Sequence, residues 1–103
     1  MTVIARFEVT PVGEESMTEE IAAALEAIDD HDVSYELTPT ATVIEADDVQ
    51  AAYEAAATAH ETIAGDDGRV ITSVEVDDQG GRDQRAAERV EAVGQTLGRA
   101  PKG

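Results

Sequence analysis

The tightest constraint on this chain is the spacing between two alternating stretches, Val33 to Leu37 and Ala41 to Ile44. Only Thr38-Pro39-Thr40 lies between them, too little chain for a helical crossover, so the two must pair antiparallel as a hairpin. Proline cannot serve a central ladder, which puts Pro39 in the turn. One strand and one helix are predicted before the hairpin; a helix, a strand and a final helix are predicted after it.

Residues Thr2 to Thr10 alternate, with Val3, Ala5, Phe7 and Val9 on one side and Ile4, Arg6, Glu8 and Thr10 on the other. Pro11 and Gly13 stop that strand. Ser16 followed by Glu19 forms a capping box for a helix from about Met17 to Asp30, with Ile21, Ala24, Leu25 and Ile28 on its apolar stripe. Asp47 or Asp48 caps the second helix, whose stripe reads Val49, Tyr53, Ala56 or Ala57, His60, and Ile63 or Ala64. Gly65-Asp66-Asp67-Gly68 stops it, and Val70, Thr72, Val74 and Val76 set the phase of a fourth strand. Ala86, Val90, Val93 and Leu97 space a third helix, ended by Gly98 and Pro101.

Strand, helix, strand, strand, helix, strand is a doubled split βαβ unit, which predicts an α+β, ferredoxin-like βαββαβ sandwich with an extra C-terminal helix. A single domain over residues 1–98 and a frayed tail over 99–103 follow. The helix-facing set includes Val3, Ala5, Phe7, Val9, Val33, Tyr35, Leu37 and Val43. Thr42, Ile44 and Ile71 then share the opposite face with Ile4 and Arg6. That face is too apolar to be simply wet, so a second subunit or a ligand is expected over part of it.

Composition narrows the function. With two Tyr, one Phe and no Trp, the chain offers few rings for stacking on bases. Twenty-three acidic residues against seven basic ones give a net charge of −16, which repels nucleic acid and anionic membranes alike. Such a field also opposes folding in dilute salt, and acid-rich, lysine-poor, alanine-rich composition predicts a halophilic protein. The absence of cysteine excludes disulfides, thiolate nucleophiles and cysteine-based metal sites. Without a basic leader or a long apolar run, a soluble, cytoplasmic protein is expected.

No glycine-rich phosphate loop is present, and nothing calls for a cofactor. Asp77 to Glu88 has the length of a calcium loop but carries Gln79 and Gly81 where acids are needed and Arg82 where glycine is needed, so no metal is expected there. Asp29-Asp30-His31-Asp32 are consecutive and cannot converge on one ion. His60 lies on the second helix without a serine, cysteine or carboxylate spaced for a triad, and no catalytic residue is assigned. The strongest polar cluster is Thr38, Thr42 and Glu45, with Tyr35 beside it. Its hydroxyls donate and accept, and its carboxylate can face an amino group or cation, which suits a small polar ring compound. The same threonines also read simply as strand formers.

At these residues the chain resembles the YkoF-like thiamine-binding protein family. The matching features are Pro11-Val12-Gly13 before Ser16, Tyr35-Glu36-Leu37-Thr38-Pro39, Thr42-Val43-Ile44-Glu45, His60-Glu61, Arg69-Val70-Ile71-Thr72, and Asp77-Asp78 before an arginine. The resemblance implies the fold derived above, assembly through the sheets into dimers and tetramers, and non-catalytic binding of thiamine or its hydroxymethylpyrimidine moiety. On that reading Tyr35 stacks on the ligand, Thr38 and Thr42 meet its ring nitrogens, and Glu45 takes its amino group or cation. Two other readings compete: a small enzyme using His60 with a nearby carboxylate, and a ligand-free structural oligomer.

Overall fold

The computed structural model describes residues 2–13, 18–65, 68–80 and 85–101. Four strands, β1 (Val3–Pro11), β2 (Val33–Leu37), β3 (Thr42–Ala46) and β4 (Val70–Asp77), form one antiparallel sheet in the order β2-β3-β1-β4. Helices α1 (Thr18–Ile28) and α2 (Val49–Ala64) follow β1 and β3, and α3 (Ala86–Leu97) closes the chain. This is the α+β, ferredoxin-like order with a C-terminal helix. The expected capping box at Ser16 and the turn at Asp66-Asp67 lie outside the described residues.

β1 fills the sheet's centre because its odd residues are all apolar: Val3, Ala5, Phe7 and Val9 are buried beneath α1 and α2. The second helix keeps Val49, Ala56 and Ile63 of its predicted stripe against the core but turns Tyr53 out of it. Its buried side chains are Ala52, Ala55, Ala56 and Ala59, whereas Tyr53 is half exposed. Alanine leaves room for the helix axis to approach the sheet and α1 closely, which a tyrosine on that stripe would prevent. Asp48 is the residue that caps α2, its Oδ1 accepting from the Ala51 amide at 2.8 Å.

The phase of β3 is the reverse of the expected one. Thr42, Ile44 and Ala46 are buried against the helices, and Val43 and Glu45 lie on the open face. The reason is the loop length. Leu37 pairs with Thr42, so the turn holds four residues, Thr38 to Ala41, rather than three. Thr38 closes that turn: its amide donates to the Ala41 carbonyl at 2.8 Å, and its hydroxyl donates to the same carbonyl at 2.9 Å. One residue of register exchanges the two faces of a strand. The phase adopted keeps the Glu45 carboxylate out of the core, at the lesser cost of burying the Thr42 hydroxyl.

Among the described residues few carboxylates are seen in an ion pair. On the open face Arg6 donates to Glu75 at 3.1 Å and also to Glu8, and the Glu75 hydrogen bond, then that of Glu8, raises the guanidinium pKa above its usual value. Exposed pairs of this kind contribute little against a charge of −16. Thermal unfolding is therefore expected to shift upward between about 0.1 M and about 1 M KCl, where the Debye length shrinks from roughly 10 to roughly 3 Å. Each ~1 kcal/mol of relieved repulsion raises the midpoint by about 4–8 °C. A midpoint indifferent to salt in a scanning calorimeter would contradict the halophilic reading.

Candidate functional site

Where β3 ends, β1 does not. The β1–β3 ladder stops at Phe7↔Thr42, while the β1–β4 ladder continues to Pro11↔Val70. Past Phe7, β1 has lost its neighbour on one side, and the 38–41 turn folds across the gap. Helix α1 covers it from above. The result is a cavity of about 170 Å³ between sheet, turn and helix. Its apolar walls come from Phe7 and Val9 of β1, Ile21, Ala24 and Leu25 of α1, Leu37 of β2 and Ile63 near the end of α2. Its polar margin comes from Glu8, Thr10, Thr38, Thr40 and Thr42.

Thr42 is the group that gives this cavity chemical meaning. It is 7 % exposed, the sole buried polar residue among the described ones, and its hydroxyl has no hydrogen-bond partner there. A buried hydroxyl left without a partner costs about 1–3 kcal/mol, so such groups are rare without a reason. The cavity supplies one: a polar ligand atom reaching Thr42 would satisfy it.

The four residues singled out from the sequence are not brought together. Thr38 and Thr42 both line the cavity, but the Thr38 hydroxyl is taken up by the turn, where it also accepts from the Ala41 amide at 3.1 Å. Its part is to shape the wall. Tyr35 lies on the helix-side phase of the edge strand, two positions from Leu37, 40 % exposed and outside the cavity lining. Glu45 lies three residues from Thr42, about 10 Å along the strand and on the opposite face of the sheet. Its Oε1 accepts from the Ala86 amide at 2.5 Å, at the first residue of α3. Arg85, the N-cap residue, provides no side-chain cap, so Glu45 caps α3 from across the sheet. Replacing Glu45 by alanine is expected to cost about 0.5–2 kcal/mol and to accelerate amide exchange through the first turn of α3. Unchanged exchange there would remove this capping role.

The apolar half of the site escaped the sequence. Phe7, Leu25 and Ile63 read as ordinary core residues, and nothing in their spacing marks a gap beside them. One clue was present in strand length: β1 has nine residues and β3 has five, which leaves part of β1 without a neighbour.

The two histidines are tied to threonines. His60 Nδ1 lies 2.6 Å from Thr72 Oγ1 on β4, and His31 Nε2 lies 2.8 Å from Thr58 Oγ1 on α2. Both pairs tether α2 to its neighbours. His60 sits in a shallow depression with Tyr53 and Glu61, apart from the cavity, and meets no carboxylate among the described residues. Among those residues no three His, Asp or Glu side chains are gathered for a metal, and no helix is long and apolar enough to cross a membrane. Arg82 lies outside the described residues.

Residues 5–94 match the sequence profile of a family described as thiamine-binding protein. A UPF0045 protein of Methanothermobacter thermautotrophicus is 36% identical over 95 residues, covering 88% of this chain and 95% of its own. Among solved structures, a Methanocaldococcus jannascii protein superposes with a TM-score of 0.81 at 25% identity, covering 91% of this chain and 97% of its own. A Thermotoga maritima protein, proposed to act in thiamine biosynthesis or salvage, superposes with a TM-score of 0.74 at 20% identity; 90% of this chain and 99% of that one are covered.

Proposed function

Since the chain belongs to the thiamine-binding protein family, we propose that it binds thiamine or its hydroxymethylpyrimidine moiety without turning it over, and does so as a homo-oligomer. The observation that carries this reading is the unpartnered Thr42 hydroxyl in a small, mostly apolar cavity. A pyrimidine has the matching chemistry: a flat apolar face for Phe7, Leu25 and Ile63, and ring nitrogens at its edge for a hydroxyl donor. Size refines the choice. Pockets for drug-sized ligands run from about 300 to about 1,000 Å³, and this cavity has about 170 Å³. One ring fits inside; the thiazolium of thiamine would stay at the mouth, in the strongly negative field of the chain.

Within this reading Thr42 donates to or accepts from the ring edge, and Thr38 holds the turn that forms one wall. Tyr35 and Glu45 serve as part of the site only if the ligand extends past the hairpin edge or a second subunit brings its own hairpin alongside. The non-catalytic character rests on the family and on His60, whose Nδ1 is engaged by Thr72 rather than by an acid. Replacing His60 by glutamine should leave ligand affinity unchanged within about twofold, a difference of ~0.4 kcal/mol. A complete loss would move His60 into the site and revive the enzymatic reading. The binding itself is tested by calorimetry in molar KCl with thiamine and with hydroxymethylpyrimidine in turn. A saturable heat with one or both is expected, and no heat with either overturns the ligand assignment.

A further inference from the structure

The hydrogen-bond parity of the sheet fixes which way each backbone group of β1 points. Val12, one step past the β1–β4 ladder, donates its N–H to the Arg69 carbonyl at 2.9 Å. In an antiparallel pair the bonded residues alternate, so the even residues of β1 turn N–H and C=O toward β4 and the odd ones toward β3. The hairpin gives the same parity from the other side. The Thr38 amide donates to the Ala41 carbonyl, which turns the backbone of Ala41 and Val43 toward β2 and that of Thr42 and Ile44 toward β1. Phe7 and Thr42 are therefore the last bonded pair between β1 and β3.

Val9 is the next residue of β1 to face that side. The register would set it against Thr40, which lies in the turn instead, and no hydrogen bond joins the Val9 N–H or C=O to a described residue. Val9 is 7 % exposed and lines the cavity. Buried backbone groups are nearly always paired, so an open pair facing a cavity is unusual. Beyond it the edge closes: Pro11, the following residue to face β3, has no N–H to offer. The free edge of β1 is thus one donor and one acceptor, side by side and pointing the same way. Roughly 7 Å along the strand lies the row of the unpartnered Thr42 hydroxyl.

We propose that the Val9 N–H and C=O form the specificity edge of the cavity, reading a ring that carries an acceptor nitrogen beside an amino donor, as the 4-aminopyrimidine edge of hydroxymethylpyrimidine does. This edge presupposes the reading above, in which such a ring occupies the cavity, and adds the group that selects it. The ring nitrogen accepts from the Val9 N–H and the amino group donates to the Val9 C=O, the pattern in which Thr40 would have paired had β3 continued. Thr42 then meets the other ring nitrogen. Edge length excludes a peptide strand as the occupant. Between Pro11 on one side and the 38–41 turn on the other there is a single donor–acceptor pair, whereas strand addition needs a row of them. A backbone edge also needs no particular side chain, which is why no residue type in the sequence marks it.

Calorimetry in molar KCl compares hydroxymethylpyrimidine with its 4-methyl analogue, in which a methyl group of nearly the same size replaces the amino group. On the wild type the analogue should bind about tenfold or more weakly, because the Val9 carbonyl is left unpaired. On Thr42→Val both affinities should fall and the ratio between them persist. NMR with ¹⁵N-labelled protein and ring gives a second readout. The Val9 amide should shift with ligand, exchange at least about tenfold more slowly, and show a coupling across the hydrogen bond to one ring nitrogen. An analogue that binds as tightly as the parent overturns the edge while leaving the cavity as the site, as does a Val9 amide unmoved when the Ile21 and Leu25 methyls shift. A ratio that collapses in Thr42→Val transfers the amino group to Thr42 and overturns the edge too. No saturable heat with hydroxymethylpyrimidine overturns the ligand reading and the edge together.

Discussion

Replacing Thr42 by valine is expected to make the protein more stable and a worse binder at once. The two side chains have nearly the same shape, so the substitution leaves no hole and forces no neighbour aside. What disappears is a hydroxyl that is 7 % exposed and has no partner among the described residues. Removing an unsatisfied buried polar group returns part of its desolvation cost, about 1 kcal/mol, which raises the unfolding midpoint by about 4–8 °C. The ligand loses the hydrogen bond that the hydroxyl gave it. In a mostly apolar cavity that loss also leaves a ring nitrogen unpaired, so affinity should fall about tenfold or more, ~1.4 kcal/mol or above. Thr42→Ser keeps the hydroxyl and should retain most of the affinity while losing stability with its methyl group. Thermal unfolding and calorimetry on the three proteins check the pair of effects. A valine variant that is less stable and binds as before would mean that the hydroxyl serves the fold instead.

The largest loss of stability is expected at Ile44. It is 0 % exposed and packs in the core beside Ala5 and Phe7 of β1. Ile44→Ala should cost about 2–5 kcal/mol, the range for a large aliphatic residue truncated in a core that cannot fully collapse. Val43→Ala, one residue away on the open face, should cost less than about 1 kcal/mol in the isolated subunit. Urea unfolding of both variants measures the contrast, and also the phase of β3. Equal losses, or a larger loss at Val43, would contradict the register in which Ile44 pairs with Ala5.

That register is where the sequence was legible in kind but not in detail. The order of alternating and helical stretches identified every element, because each run of β1, β2 and β4 has a clear apolar phase. β3 has none. Over its first four residues Thr42 and Ile44 are scarcely more apolar than Ala41 and Val43 of the other phase, and the four-residue turn closed by Thr38 decides between them through its hydrogen bonds. In the α2 stripe Tyr53 departs for a related reason. It continues the helical period set by Val49, yet the closeness of helix to sheet favours alanines, and closeness is a tertiary property. The site followed the same pattern. Thr38 and Thr42 stood out as polar residues in a strand hairpin, and both line the cavity. The apolar lining did not stand out, because Ile21, Leu25 and Ile63 obey the helical period of any buried face. Glu45 was visible as a carboxylate but not as the cap of a helix 41 residues further on.

In the proposed reading the ligand enters between α1, the 38–41 turn and the free edge of β1. An NMR titration of protein carrying ¹³C-labelled Ile, Leu, Val and Thr methyl groups with hydroxymethylpyrimidine in molar KCl tests it most directly. The predicted result is saturable shifts at Thr42, Ile21, Leu25, Leu37 and Ile63, with Ile4, Val43 and Ile71 of the open face unmoved. Shifts confined to the open face, or none at saturating ligand, would contradict it.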